Sequence, residues 1–323
     1  MRVELIAPHD HANGFGTMRD DLVRELQTLG VHIGRNISVP HVSLVMGVPN
    51  SLKAAATPNT VLFTMFESEK IPPTYVEWCQ KAKIVVVPTR WCKRVFDAEA
   101  KINSVVVPLG VDTSIFTYRE RAANAVFTVL NYNAFTYRKG FWSLLGAWER
   151  SLGGRKDAQL ILKYAGDNNV TSMAEYDNIH VLKGKYTRGQ LASLLYLADA
   201  FVFPSMGEGF GLPPIEAAAT GLRPIIPDAS GMSEFANEIG NIVATTTPVV
   251  AKYESFARSQ VDLGHYLPVD KEDLARVLTE EYARWKDNPV TMSNLHVSKV
   301  VQEKYDIRRT AKQLLTVLQD AAN

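Results

Sequence analysis

The stretch FVFPSMGEGFGLPPIEAAATGLRPIIPDASGMSE, residues 201–234, decides the fold. Its lead-in, Ala200, Phe201, Val202 and Phe203, is an apolar run of the kind found in strands buried on both faces of a parallel sheet. Pro204 to Leu212 then reads as a turn, with Gly207, Gly209 and Gly211 letting backbone N–H groups come close to a ligand. Pro213 and Pro214 open a helix, where proline costs little, and Gly221 ends it. A glycine-rich turn that feeds a helix N-terminus after a strand suits an anion. Two carboxylates, Glu208 and Glu216, flank this turn. Carboxylates repel phosphate, so they must serve a different group. An ionised carboxylate accepts two hydrogen bonds at once, which suits the hydroxyls of a sugar or ribose. Phosphate on the amides and polyol on the acids describes a nucleotide-sugar.

Length and composition set the frame. At 323 residues the chain is long enough for two domains. A hydrophobic fraction of 46% and a formal net charge of +1 fit a globular protein without the strong field needed for bulk nucleic-acid binding. Two cysteines, Cys79 and Cys92, fit a reducing compartment, and no Cys/His spacing suggests a metal. The N-terminus lacks a signal-peptide core and no apolar run is long enough to cross a bilayer. The expectation is a cytoplasmic protein. The basic stretch from Lys81 to Lys101 leaves a peripheral membrane position or an anionic acceptor open beside the plain reading of a solvated helix face.

The segment from Glu208 to Glu216 resembles the E-x7-E motif of retaining glycosyltransferases with the GT-B fold, the glycosyl transferases group 1 family. Pro204 and Ser205 before it, and Gly231 and Glu234 after it, extend the resemblance. Val105 to Asp112, with Phe116, is similar to the segment that closes the family's first domain, with its proline one residue early. The resemblance implies two Rossmann-like, doubly wound α/β domains facing a cleft. Residues 1–118 would form the acceptor side. Residues 119–323 would bind the nucleotide-sugar, with the last helix packing back toward the first domain. Residues 117–125 read as the linker.

The remaining assignments follow the chain. Gly14 and Gly16 lie in a loop from Pro8 that also holds His9, Asp10 and His11, and Thr17 caps a helix from Met18 to Leu29. A dinucleotide fingerprint fails there, because Arg19 stands where the third small residue belongs. The resemblance instead makes this loop a glycine-rich turn at the cleft; a simple strand–helix connector is the other reading. Glu67 and Glu69 follow a strand over Val61–Met65, at the carboxyl end where doubly wound folds place ligands. Glu67 is the candidate acceptor-side catalytic group, with a helix-entry charge as the alternative. Relatives often carry a histidine in that loop and this chain has none there, which leaves His9, His11 or His41 as substitutes. After a strand from Val126 comes a loop ending in Arg138, Lys139 and Gly140. The resemblance gives Lys139 to the donor diphosphate, a role that suits a compact point charge. The family's preceding arginine falls near Asn133, leaving Arg138 as a substitute. The backbone near Leu182 would meet the nucleotide base.

The implied reaction transfers a hexosyl or pentosyl group from a UDP-, GDP- or ADP-sugar to an acceptor hydroxyl, with retention and without a metal. Lys139 and the amides of Gly209, Phe210, Gly211 and Leu212 would stabilise the departing diphosphate. Glu208 would hold the donor sugar and Glu216 the ribose. The acceptor stays open among a glycan, a lipid, a protein and a modified nucleic-acid base. The alternatives are a sugar-nucleotide epimerase of the same fold and a catalytically silent sugar-nucleotide-binding subunit. Residues 243–262 have no sequence account.

Overall fold

The computed structural model of the protein describes residues 1–7, 14–165, 177–253, 256 and 261–323. The first part of the chain runs β1 (Arg2–Ile6), α1 (Gly14–Thr28), β2 (His32–Gly34), β3 (Val42–Met46), β4 (Thr60–Phe63), α2 (Pro73–Lys81), β5 (Ile84–Val87), α3 (Arg90–Ala100) and β6 (Val105–Val106). Its six strands form one sheet in the order β2-β1-β3-β4-β5-β6, with every neighbouring pair parallel. The sequence explains the layering. VSLVM in β3 and TVLF in β4 are buried along their whole length, as strands covered by helices on both faces must be.

The second part runs β7 (Phe127–Ala134), α4 (Phe141–Ser151), β8 (Ala158–Ala165), β9 (Ile179–Lys183), α5 (Arg188–Leu197), β10 (Ala200–Val202), α6 (Leu212–Ala219), β11 (Pro224–Pro227), α7 (Ala236–Ile239) and β12 (Asn241–Val243). A second parallel sheet takes the order β12-β11-β10-β7-β8-β9. After β7 the chain builds outward through β8 and β9, then returns to lay β10 on β7's other side. The strand order therefore reverses between β7 and β10, and the crevice beyond their carboxyl ends is where such folds bind ligands. The chain closes with β13 (Val249–Val250), β14 (His265–Tyr266), α8 (Lys271–Asp287), α9 (Leu295–Lys304) and α10 (Ile307–Ala322).

The two sheets are joined twice at one place. Val111 receives a hydrogen bond from Ile307 N–H (3.0 Å) and donates to Tyr305 O (2.9 Å), so the outgoing and returning chain run side by side. A Cβ on Gly110 would stand 2.6 Å from Ile307 Cα, so this crossing needs glycine. The return delivers α10 onto α1, with Ile307, Leu314 and Leu318 buried.

Residues 117–125 are tied down more firmly than a linker reading implies. Arg121 is buried and donates to Ala198 O (3.0 Å), Leu195 O (3.1 Å), Thr220 O (3.1 Å) and Thr220 Oγ1 (3.0 Å). Its cation thus satisfies the last carbonyls of α5 and α6, where helix dipoles favour positive charge. Arg121→Met is expected to cost about 3 kcal/mol in urea denaturation, because it orphans several buried carbonyls. A loss well under 1 kcal/mol would mean that water replaces the guanidinium.

One expectation changes. The first helix begins at Gly14, not after Thr17, so Gly14 and Gly16 occupy its first turn. No proline stops the helix from extending backward, and first-turn amides need no intrahelical partner. His9, Asp10 and His11 lie outside the described residues. In α8, Asp270 caps the amides of Glu272 (2.8 Å) and Asp273 (3.1 Å), and Asp273, at the position a capping-box acid would take, turns away from the cap. Its carboxylate accepts from Ala244 N–H (2.7 Å) instead, while Asp270 N–H goes to Ala244 O (2.8 Å). Residues 243–262 include β13, which pairs antiparallel with β14, and other residues of the segment touch the loop after β4. There Phe66 stacks on Tyr253 at 4.8 Å, and Lys70 pairs with Asp262 at 2.5 Å.

Candidate active site

The loops that leave β4, β7 and β10 meet at the facing ends of the two sheets. Their approach is close enough to require glycine. A Cβ on Gly207 would lie 2.3 Å from Glu67 O, and one on Gly209 would lie 2.7 Å from Met65 Cβ. A Cβ on Gly140, at φ +70°, would lie 1.9 Å from Pro204 O. The first half also holds the turn directly, since Thr89 Oγ1 donates to Gly209 O at 3.1 Å.

Four charged side chains converge in this space. Lys139 Nζ lies 2.6 Å from Glu208 Oε1, and Arg138 Nη1 lies 3.1 Å from the same oxygen. Arg138 Nη2 reaches across to Glu67 Oε1 at 3.4 Å. Ser205 Oγ donates to Glu208 Oε1 at 2.5 Å, and Arg138 Nη1 donates to Gly207 O. The cluster carries two positive and two negative charges, so it is neutral as it stands. A diphosphate arriving here would have to draw Lys139 or Arg138 away from Glu208, or share it.

Burial pushes the Glu208 carboxyl up, but Lys139 and Arg138, with hydrogen bonds from Lys139 and Ser205, outweigh it and hold it at about 2. Burial lowers the Lys139 ammonium from 10.5, with Arg138 adding to the effect against the pull of Glu208. An anionic ligand beside Lys139 would favour its charged form. The depressed Glu208 value adds stability that is fully present above its ordinary 4.5 and is lost as the pH falls toward about 2. Wild-type stability is therefore expected to fall through that window by on the order of 3 kcal/mol more than that of Glu208→Gln. Parallel pH slopes in denaturant titrations of the two proteins would refute this.

Glu216 sits on α6, one turn into the helix, and is only 3% exposed. The Tyr132 hydroxyl donates to its Oε2 at 2.6 Å, and Arg188 Nη2 stands 3.7 Å from its Oε1. Between the two acids run Gly209 to Leu212. Pro213 and Pro214 have no N–H, so donors for an anion come from the turn rather than from the helix's next residues. The Phe210 ring packs against Phe235 (5.6 Å) and Tyr305 (5.9 Å). The turn is held from behind: Glu208 N–H donates to Ser230 Oγ (2.9 Å), and Gly231 N–H donates to Glu208 O (2.8 Å). Ser230 adopts φ +51°, an uncommon conformation for a non-glycine residue. Glu234 is engaged elsewhere, accepting from Arg90 N–H at 2.9 Å across the boundary between the halves.

The structure thus brings Glu67, Arg138, Lys139 and Glu208 into one cluster, with Glu216 forming a second beside Tyr132 and Arg188. Leu182 lies on the edge strand β9, two strands from β7, about 10 Å away across the sheet. Gly14 and Gly16 lie beyond the carboxyl end of β1, and Gly16 is buried. Sequence reasoning missed Ser205 as a Glu208 partner, along with Tyr132, Arg188 and Ser230. Only Ser205, adjacent to the motif, carried a local signal. Among the described residues, no group of three or more His, Cys, Asp or Glu side chains could hold a metal ion, and no helix is long and apolar enough to cross a membrane.

Residues 119–257 match the family model for Glycosyl transferases group 1. The matched region carries Lys139, Glu208 and Glu216. The MMP alpha-(1->4)-mannosyltransferase of Mycolicibacterium hassiacum is 33% identical over 150 residues, covering 44% of this chain and 36% of that protein. That alignment thus spans about a third of the relative's length. Among solved structures, sucrose-phosphate synthase from Thermosynechococcus elongatus superposes with a TM-score of 0.75 at 16% identity, covering 99% of this chain and 98% of that one. A glycosyltransferase from Rickettsia africae gives 0.63 at 14% identity, covering 97% and 83%. A UDP-forming alpha,alpha-trehalose-phosphate synthase from Burkholderia xenovorans gives 0.64 at 13%, covering 98% and 81%. The chain has the GT-B fold. Residues 119–257 thus resemble the Glycosyl transferases group 1 model, and the chain as a whole resembles GT-B structures.

Proposed function

We propose that the protein transfers a hexosyl or pentosyl group from a nucleotide diphosphate-sugar to an acceptor hydroxyl, with retention of configuration and without a metal cofactor. One observation carries this reading: two buried carboxylates flank a glycine turn at the strand-order reversal, and a lysine and an arginine pair with the first of them. Lys139 stabilises negative charge on the departing diphosphate, helped by the amides of Gly209 to Leu212. Glu208 then exchanges its cationic partners for hydroxyls of the donor sugar. Glu216 accepts from the ribose hydroxyls, and the backbone near Leu182 meets the base. Gly14 and Gly16 border the cleft from the first half. Glu67 faces the reacting centre from that side as the acceptor-side group, with its charge balanced by Arg138. Residues 1–118 form the acceptor side and 119–323 the donor side.

The test is nucleotide release from UDP-, GDP- and ADP-sugars, with and without EDTA, and NMR of the product anomer. Release of nucleotide with the donor's anomeric configuration kept supports transfer. Interconversion of the donor sugar alone would support an epimerase, and binding without turnover a silent subunit. Glu216→Ala is expected to raise the donor Kd about 100-fold, because a charged acceptor of two hydroxyls is lost. An unchanged Kd would remove Glu216 from the donor site.

A further inference from the structure

Behind Glu216 lies a charge set that the reaction scheme does not use. Arg188, the first residue of α5, lies between a carboxylate from each half of the protein. Its Nη1 is 3.3 Å from Asp21 Oδ2 on α1, and its Nη2 is 3.7 Å from Glu216 Oε1 on α6. The guanidinium also stands over the Phe116 ring at 5.1 Å. Its three nitrogens are buried, yet none makes a hydrogen bond among the described residues, and neither does Asp21 Oδ2. A buried guanidinium normally forms short, directed bonds to a carboxylate, so this one is held in balance between two anions rather than bonded to either.

Asp21 is fixed from its other side. Arg24 Nη1 donates to its Oδ1 at 3.2 Å, and Arg24 is itself anchored to Asp112 Oδ2 at 2.6 Å. Glu216 is fixed through Oε2 by Tyr132. Its Oε1 accepts no hydrogen bond among the described residues, and Arg188 is the cation facing it. A shift of the guanidinium by about 1 Å would close 3.7 Å to bonding distance and fill that oxygen.

We propose that Asp21 is a positioning residue for the donor site: it holds Arg188 off Glu216, so that Oε1 stays open to the ribose hydroxyls. The inference rests on the reading of Glu216 as the ribose carboxylate. It places control of nucleotide affinity in the half of the protein that does not carry Glu216. Arg188 keeps positive charge near Glu216, while Asp21 prevents that charge from becoming a competitor for the same lone pairs.

The test uses the nucleoside diphosphate among UDP, GDP and ADP that binds with a measurable Kd, together with its 2′,3′-dideoxy counterpart, by calorimetry at pH 8. Asp21→Asn keeps an oxygen for Arg24 and removes only the charge. It is expected to weaken the ribonucleotide about tenfold and leave the dideoxy nucleotide unchanged, because only the hydroxyl contact is filled. Adding Arg188→Met to Asp21→Asn removes the intruding cation and is expected to return the ribonucleotide Kd to within about threefold of wild type. Glu216→Gln serves as the reference and is expected to shrink the difference between the two nucleotides. If Glu216→Gln shrinks that difference but Asp21→Asn leaves both Kd values alone, the inference fails and the ribose reading stands. Equal weakening of both nucleotides by Asp21→Asn also overturns it, since Asp21 would then act through the fold. If Glu216→Gln leaves the difference intact, the ribose reading itself is wrong.

Discussion

Replacing Lys139 with methionine is expected to lower kcat for glycosyl transfer by about 10²–10³, with a smaller change in KM. The ammonium sits 2.6 Å from Glu208 Oε1, beside the turn that would hold the diphosphate. Charge on that leaving group grows as the glycosidic bond breaks, and an interaction that strengthens with the charge appears in kcat. The variant should still fold. Arg138 continues to pair with Glu208 at 3.1 Å, and methionine keeps most of the length of the side chain whose ammonium now stands 5.1 Å over the Phe203 ring. Steady-state kinetics with the donor found by the nucleotide screen decide the point. A kcat within about threefold of wild type would remove Lys139 from the chemistry and shift the leaving-group role to Arg138 or the turn amides.

Gly231→Ala is expected to abolish measurable donor binding and to cost about 3 kcal/mol or more of stability, although residue 231 is assigned no ligand contact. Its Cβ would lie 2.2 Å from Gly209 O, 2.4 Å from Gly209 C and 2.6 Å from Glu208 O. All three are backbone atoms, so no side chain can swing aside. The turn would have to retreat, breaking the Gly231 N–H bond to Glu208 O and the Glu208 N–H bond to Ser230 Oγ. Gly189→Ala is the matched control. Nothing lies within 4 Å of its added Cβ and it sits in the first turn of α5, so it should be neutral or slightly stabilising. Urea denaturation and calorimetry of both variants check the pair. If Gly231→Ala behaved like Gly189→Ala, the two segments would not approach as closely as the structure places them.

Much of the second half could be read from residues near one another in the chain. The apolar run before Pro204, the glycines at 207, 209 and 211, and the prolines at 213 and 214 each act locally, so strand, turn and helix follow in order. Lys139 and Gly140 stand out for the same reason: a basic residue and a glycine close a loop between a strand and an amphipathic helix. Other features depend on partners distant in sequence. Tyr132 is one of several aromatic strand residues until the fold sets its hydroxyl on a carboxylate 84 positions away. Arg188 looks like an ordinary helix-entry cation until α1 and α6 bring Asp21 and Glu216 to either side of it. The segment 243–262 carries no local pattern, and it meets a loop nearly 200 residues earlier, where Tyr253 stacks on Phe66 and Asp262 pairs with Lys70.

By itself the sequence determined a parallel α/β architecture, the glycine turn with its two acids and a basic loop between a strand and a helix, because periodicity, backbone freedom and charge spacing act within a few residues. The tertiary structure alone decided the pairings. It set Lys139 and Arg138 on Glu208, carried Arg138 across to Glu67, and balanced Arg188 between the two halves. Those pairings depend on distance and burial, which exist only once the strand order has reversed between β7 and β10 and the chain has crossed back through Val111 and Ile307.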